Sequence, residues 1–183
     1  MKSLEKMSIA LLVVGLMSAG AMAQASPSTH SNNFASNPML IAQADESKLV
    51  AENKALLLSN RELARKIASS QGITSSGELP TTGTPPEQNQ VLILQNQETF
   101  KAIAEKVGAT VPALSKPGGS DVAEQNHNLL LQNRQIVVAI ASKIGVTLAA
   151  PPSLSGSFAE KNHTLLLGNK ASLTKIAEKL GVK

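Results

Sequence analysis

The sequence predicts an all-α fold: four tandem units of about 36 residues, following a signal peptide. Each unit supplies one amphipathic helix, and the four helices pack as a helical bundle or an open helical array. Three observations carry this. One residue pattern recurs four times. Each copy has its own helix start and stop. The apolar positions inside each copy follow a heptad.

The repeat is defined by fixed spacings. An Asn is followed seven residues later by a second Asn, seven after that by Ile, and five after that by Gly. The first Asn residues are Asn53, Asn89, Asn126 and Asn162, and the second are Asn60, Asn96, Asn133 and Asn169. The third and fourth units agree at 13 of 24 aligned residues, so internal duplication is the economical reading. The period is near that of tetratricopeptide repeats. The aromatic signature of that family is missing, and each unit has one helix rather than two.

Residues 1–23 read as a signal peptide. Lys2 and Lys6 give a positive start, Ile9 to Met17 is apolar, and Ala21-Met22-Ala23 fits a cleavage site. The apolar run is too short for a bilayer core of about 30 Å, and no later segment is longer, so no transmembrane span is expected. The expected location is periplasmic or secreted. Residues 24–46 read as a flexible leader, because their Ser/Asn-rich start buries too little apolar surface to offset ordering. Helical repeats then occupy 47–73, 84–109, 120–146 and 157–183.

The second, third and fourth units open on Thr84-Pro85-Pro86-Glu87, Asp121-Val122-Ala123-Glu124 and Ser157-Phe158-Ala159-Glu160. Each reads as a cap whose Glu reaches back to it. The first unit offers only Asp45 and Ser47 as looser caps. Gly72, Gly108, Gly145 and Gly181 are placed to close the helices in left-handed geometry, each followed by an apolar residue as in a Schellman motif. Gly156, in a connection, is expected to be less sensitive to substitution than Gly145. The second helix is therefore predicted over Pro85 to Val107, about 35 Å long at ~1.5 Å per residue.

Within the third unit Leu130, Val137 and Ile144 are seven apart, and Leu166, Leu173 and Leu180 match them in the fourth. With these at a, both Asn and the Ile fall at d. Leu129 and Ile136 widen the stripe beyond a two-stranded seam, toward three or four helices. Eight Asn in such a stripe have three readings. Amides paired across helices would fix register, since an unpaired buried amide costs about 1–3 kcal/mol. A wet edge of the stripe is the second. A ligand or anion site is the third. Asn at d resembles the polar layers in stalks of trimeric autotransporter adhesins, where amides surround an anion; the likeness covers a few positions of a motif. These eight Asn are the candidate structural or partner-binding residues.

The connections from Gly72 to Thr84, Gly108 to Ser120 and Gly145 to Ser157 are 12 steps each, longer than most helix hairpins need. They reach ~40 Å at ~3.3 Å per residue, just enough for a taut parallel return. The commoner up-and-down order makes antiparallel neighbours the expectation.

Composition narrows the function. Aromatics are 2%, with no Trp or Tyr, which argues against sugar platforms and base stacking. There is no Cys, so disulfides, thiol chemistry and Cys-based zinc sites are excluded. Lys and Arg number 17 against 13 acidic residues, with no basic run, so nucleic acid is not an expected partner. His127 and His163 are expected on an exposed face, with too few converging ligands for zinc. No nucleophile motif, paired catalytic carboxylates or phosphate loop is present. Asn162-His163-Thr164 matches a glycosylation sequon but falls inside a helix. No catalytic residue, cofactor or metal is assigned. The expected function is that of an exported, non-catalytic helical-repeat protein acting in structure, assembly or partner binding in the cell envelope or exterior. Its expected partners are further copies or another helical protein, with weak membrane-surface attachment left open. The alternative is a periplasmic module with an Asn-lined interior that binds a small ligand or ion.

Overall fold

The computed structural model describes residues 38–75 and 77–182. The signal peptide and residues 24–37 of the leader lie outside this range. The described residues form four helices: α1 (Pro38–Ser70), α2 (Pro85–Val107), α3 (Val122–Lys143) and α4 (Phe158–Lys179), with no strand among them. α2 has the bounds read from the sequence. α1 does not: it begins at Pro38 and runs through Asp45 and Ser47, so residues 38–46 of the expected flexible leader are helical. No Pro or Gly interrupts residues 39–70, and the two candidate caps sit inside a continuous helix.

The local signals act as expected at the other ends. Glu124 N donates to Asp121 Oδ1 at 2.9 Å, and Glu160 N to Ser157 Oγ at 3.3 Å. Glu87 and Glu160 reach back to the backbone N–H of Thr84 and Ser157, each at 2.7 Å. Glu124 reaches one residue further, to Ser120 N. All four C-termini are Schellman motifs. Ile73, Ala109, Val146 and Val182 donate to Ala68, Ala104, Ala141 and Ala177 at 2.8–2.9 Å. The closing glycines have φ of 70° to 73°.

The helices form a closed square. α1 packs on α2 and α4, α3 packs on α2 and α4, and neither diagonal pair brings Cα atoms within 8 Å. All four run in the same direction. Asn89 Nδ2 donates to Val50 O and Asn96 Nδ2 to Leu57 O, so donor and acceptor advance by seven together. The same step relates Asn126–Pro86 to Asn133–Ile93, and Asn53–Ala159 to Asn60–Leu166. The expected antiparallel order is thus corrected. The reason lies in the layers. The first Asn falls near the start of every unit and the second near its middle. Antiparallel neighbours would set the amide of each first Asn against an Ile layer, at about 1–3 kcal/mol for each one left unpaired.

Parallel order requires each connection to return along the bundle. Each has 14 residues, a reach of ~46 Å at ~3.3 Å per residue, against a helix of ~33 Å. Side chains on the helices hold the returning backbone. Arg61 donates to Gly77 O, Arg65 to Ser75 O, Gln95 to Glu78 O, Gln132 to Ser115 O and Lys175 to Thr147 O. These bonds satisfy carbonyls that irregular chain would otherwise leave unpaired. Val111, Leu114, Leu148 and Leu154 pack on the core from the same segments.

The core is split. One cluster holds Ile67, Ile103, Ile140 and Ile176 with Ala64, Phe100, Val137 and Leu173. The other holds Leu57, Leu92, Ile93, Leu129, Leu130, Leu165 and Leu166. In each helix the second Asn falls between the two clusters. Aligned helices also align their dipoles. Glu87, Glu124 and Glu160 at one end and Lys106, Lys143 and Lys179 at the other oppose the resulting field.

Candidate functional site

The eight Asn, spaced 7 residues apart in each unit, form two rings, because 7 residues are nearly two helical turns. All eight are buried, at 1–7% exposure, so the wet-edge reading is set aside. They do not pair with one another. In seven of the eight, Nδ2 donates to a carbonyl on the neighbouring helix, at 2.9–3.3 Å. Each such carbonyl lies three residues before the equivalent Asn of its own helix. It has a second lone pair for the amide beside its helical bond. One N–H of each of these seven amides is therefore committed to holding the neighbouring helix.

In the inner ring, the Oδ1 atoms of Asn60, Asn96, Asn133 and Asn169 are buried and meet no protein donor. The outer ring is uneven. His127 Nδ1 lies 3.0 Å from Asn162 Oδ1, and His163 Nδ1 lies 3.1 Å from Asn53 Oδ1. Since those amides donate through nitrogen, each His must carry its proton on Nδ1. Both His are half-buried between helices, which corrects the expected exposed face. The other two oxygens, on Asn89 and Asn126, are buried without a donor.

The unevenness has a sequence cause. The residue after each outer Asn is Lys54, Gln90, His127 or His163, and each reaches the next helix of the square. Before Asn89 and Asn126 stand Gln88 and Gln125, where the other units have Glu52 and Lys161. Lys54 Nζ bonds to Gln88 Oε1 at 2.6 Å, and Gln90 Nε2 to Gln125 Oε1 at 3.1 Å. The glutamines take these donors, and the Oδ1 atoms of Asn89 and Asn126 are left buried without one. Sequence reading missed these departures because they break the repeat at its edge rather than in its stripe.

The outer ring floors a cavity of about 460 Å³ at the N-terminal end of the bundle. Val50, Pro85, Pro86, Ala123 and Ala159 give it apolar walls. α1 extends the wall, since Asn53 lies 15 residues from its start and the other outer Asn lie 4 from theirs. The extra length is ~16 Å at ~1.5 Å per residue, and Gln43, Glu46 and Ser47 on it line the cavity. A surface groove of about 430 Å³ lies beside α1, with Arg61, Arg65 and Lys66. Its two arginines are engaged in holding the first connection.

Charge is segregated along the bundle axis. Segments 38–54, 85–90, 121–127 and 157–163, which surround the cavity end, carry seven acidic and three basic residues. The remaining described residues carry five acidic and eleven basic. Burial, with Arg65 nearby, lowers the pKa of Arg61 from its usual value. The Thr84 backbone N–H, then its hydroxyl, lowers that of Glu87.

Among the described residues, no helix is long and apolar enough to cross a membrane, and no group of three or more His, Cys, Asp or Glu is placed to hold a metal. No family model, curated protein or solved structure matches the chain.

Proposed function

We propose that the chain is an exported, non-catalytic helical-repeat protein that acts by binding, and that its working surface is the Asn-lined mouth at the N-terminal end. One observation carries this: a cavity of about 460 Å³ with mainly apolar walls, lined also by the four outer Asn. That size and that mixture are those of a small-molecule site. The apolar stripes are consumed within one chain, so they are not free to recruit further helices. The polar groups at the mouth are amides, a hydroxyl and a carboxylate, which suits recognition better than bond making.

A screen of small-molecule fragments by ligand-observed NMR tests the proposal. Hits are expected to compete with one another and to disappear in Ala123→Leu, which fills the cavity. Hits that survive this change overturn the assignment of the mouth. Assembly is the second reading, favoured by the opposed charge poles, which would let copies stack end to end. It requires a mass that rises with concentration and falls with salt.

A further inference from the structure

The four units differ on their outer faces. In α2 and α3 the residue six after the first Asn, Gln95 or Gln132, donates to the returning connection at Glu78 O or Ser115 O. In α4 the same position is Gly168, where an added Cβ would lie 3.9 Å from Pro152 of the third connection. Each of these faces is thus covered by the connection arriving from the unit before. The matching residue of α1 is Ser59, and no unit precedes it. Its face, stepping by 3 and 4 residues in turn, reads Asp45, Lys48, Glu52, Ala55, Ser59, Glu62 and Lys66. All but the half-buried Ser59 are exposed. We infer that this face binds a second copy of the chain, with the two α1 helices antiparallel about Ala55.

The charges select both the occupant and its direction. Reversed, the stripe sets Asp45 against Lys66 and Lys48 against Glu62 of the second copy, with Ala55 beside its own equivalent. The contact is twofold, so each ion pair forms twice. The steps of 3 and 4 keep every opposed position within one residue, ~1.5 Å, of its mate. A parallel pair in register would set like charge on like. The equivalent positions carry one charge in the second and third units and two, both Lys, in the fourth, so no other helix is complementary to itself. The segment ahead of α1 does not match the stripe, since residues 24–37 contain no Asp, Glu, Lys or Arg. Within one copy these groups make only exposed pairs, Lys48–Glu52 at 3.9 Å and Glu62–Lys66 at 3.2 Å, which leaves them able to pair outward. Antiparallel docking also lays the acidic pole of one copy beside the basic remainder of the other. The pairing is independent of the mouth. Gln43, Glu46, Ser47 and Val50, which line the cavity, lie on the opposite side of α1. It rests on the assembly reading and gives it a side-by-side surface in place of end-to-end stacking.

Sedimentation velocity of the purified chain tests the pairing. Wild-type mass is expected to rise with concentration to that of two copies and no further, and the rise should shrink at high salt. Asp45→Lys with Lys48→Glu makes every ion pair of the contact repulsive without changing net charge. It should weaken association on the order of tenfold or more. Glu62→Lys with Lys66→Glu should do the same. The chain carrying all four changes regains the match and should associate within about threefold of the wild type. The four positions are exposed and outside the core, and circular dichroism checks that each variant folds. A wild-type mass that stays at one copy at every concentration overturns the pairing and the assembly reading together. Growth beyond two copies overturns the pairing in favour of end-to-end stacking. Association that ignores the paired swaps, or is lost by each and not regained by all four, overturns this face and leaves assembly standing. The mouth is judged separately by the fragment screen, since none of these changes reaches the cavity.

Discussion

The two halves of the bundle use the same four helices for different purposes. Toward the C-termini the interior is dry, with Ile67, Ile103, Ile140 and Ile176 backed by Phe100, Val137 and Leu173. Toward the N-termini two rings of Asn enclose a Leu-rich layer. The dry half has more apolar surface to bury and would stabilise many arrangements of helices. The Asn half stabilises one. Its amides find carbonyls only when the helices are parallel and in register. Stability and specificity are thus separated along the axis, and the polar half is also where the cavity opens.

The largest expected effect comes from the dry half. Phe100→Ala should lower stability by about 3–5 kcal/mol, the usual result of emptying a buried aromatic site. Asn96→Ala, four residues away, should cost about 0.5–1.5 kcal/mol, because it removes one hydrogen bond and an already undonated oxygen. Chemical denaturation of both variants reads the comparison. Equal losses would mean that the two halves are not different in kind.

The converse change sharpens it. Replacing Asn60, Asn96, Asn133 and Asn169 together with Leu should raise stability by on the order of 2–4 kcal/mol, since buried oxygens give way to apolar surface. The same variant should lose uniqueness, because Leu layers accept shifted and reversed helices. A higher melting temperature with broadened NMR spectra is the expected pair of results. Sharp, wild-type-like spectra would show that the connections, not the inner ring, fix the order.

What could be read beforehand follows the range of each interaction. Caps and Schellman ends are local, so Pro85–Val107 and the four closing glycines were legible from neighbouring residues. The start of α1 was overlooked: Asn37-Pro38 carries the pattern of a cap residue before a first-turn Pro, but the Ser/Asn-rich run ahead of it favoured a leader. Helix direction was legible in principle. An Asn near the start of each unit, with none at the matching place near its end, already disfavours antiparallel layers, but the commoner topology outweighed that signal. The site was half legible. The Asn rings follow from the heptad. Which oxygens stay open depends on Gln88 and Gln125 meeting Lys54 and Gln90 across helices, and no single-helix pattern contains that.

A smaller effect separates the connections from the helix ends. Gly145 and Gly156 both have positive φ, 73° and 83°. A Cβ at Gly145 meets nothing within 4 Å, while one at Gly156 would lie 2.0 Å from Glu160 Oε2. Gly145→Val should cost about 1 kcal/mol in left-handed strain. Gly156→Val should cost about 2 kcal/mol, because the displaced carboxylate also gives up its cap. This reverses the expectation that the connection would tolerate change better. Thermal melts of the two variants decide the order.

The smallest effect concerns acid, and it tests whether the caps matter beyond geometry. Glu87 is exposed, so only its hydrogen bonds to the Thr84 backbone N–H and hydroxyl hold its pKa below the usual carboxylate value. A depressed folded-state pKa stabilises above the unfolded value, near 4.3, and that contribution is lost as pH falls through the folded value. Stability should therefore decline below about pH 4 in the wild type. Glu87→Gln keeps a weaker acceptor but cannot titrate, so its decline should be shallower over that window. NMR titration of the Glu87 carboxyl carbon gives the pKa directly. A midpoint at or above the unpaired value would mean that the bond to Thr84 contributes no preference for the charged form, and the acidic end would then owe its stability to packing on the Asn ring alone.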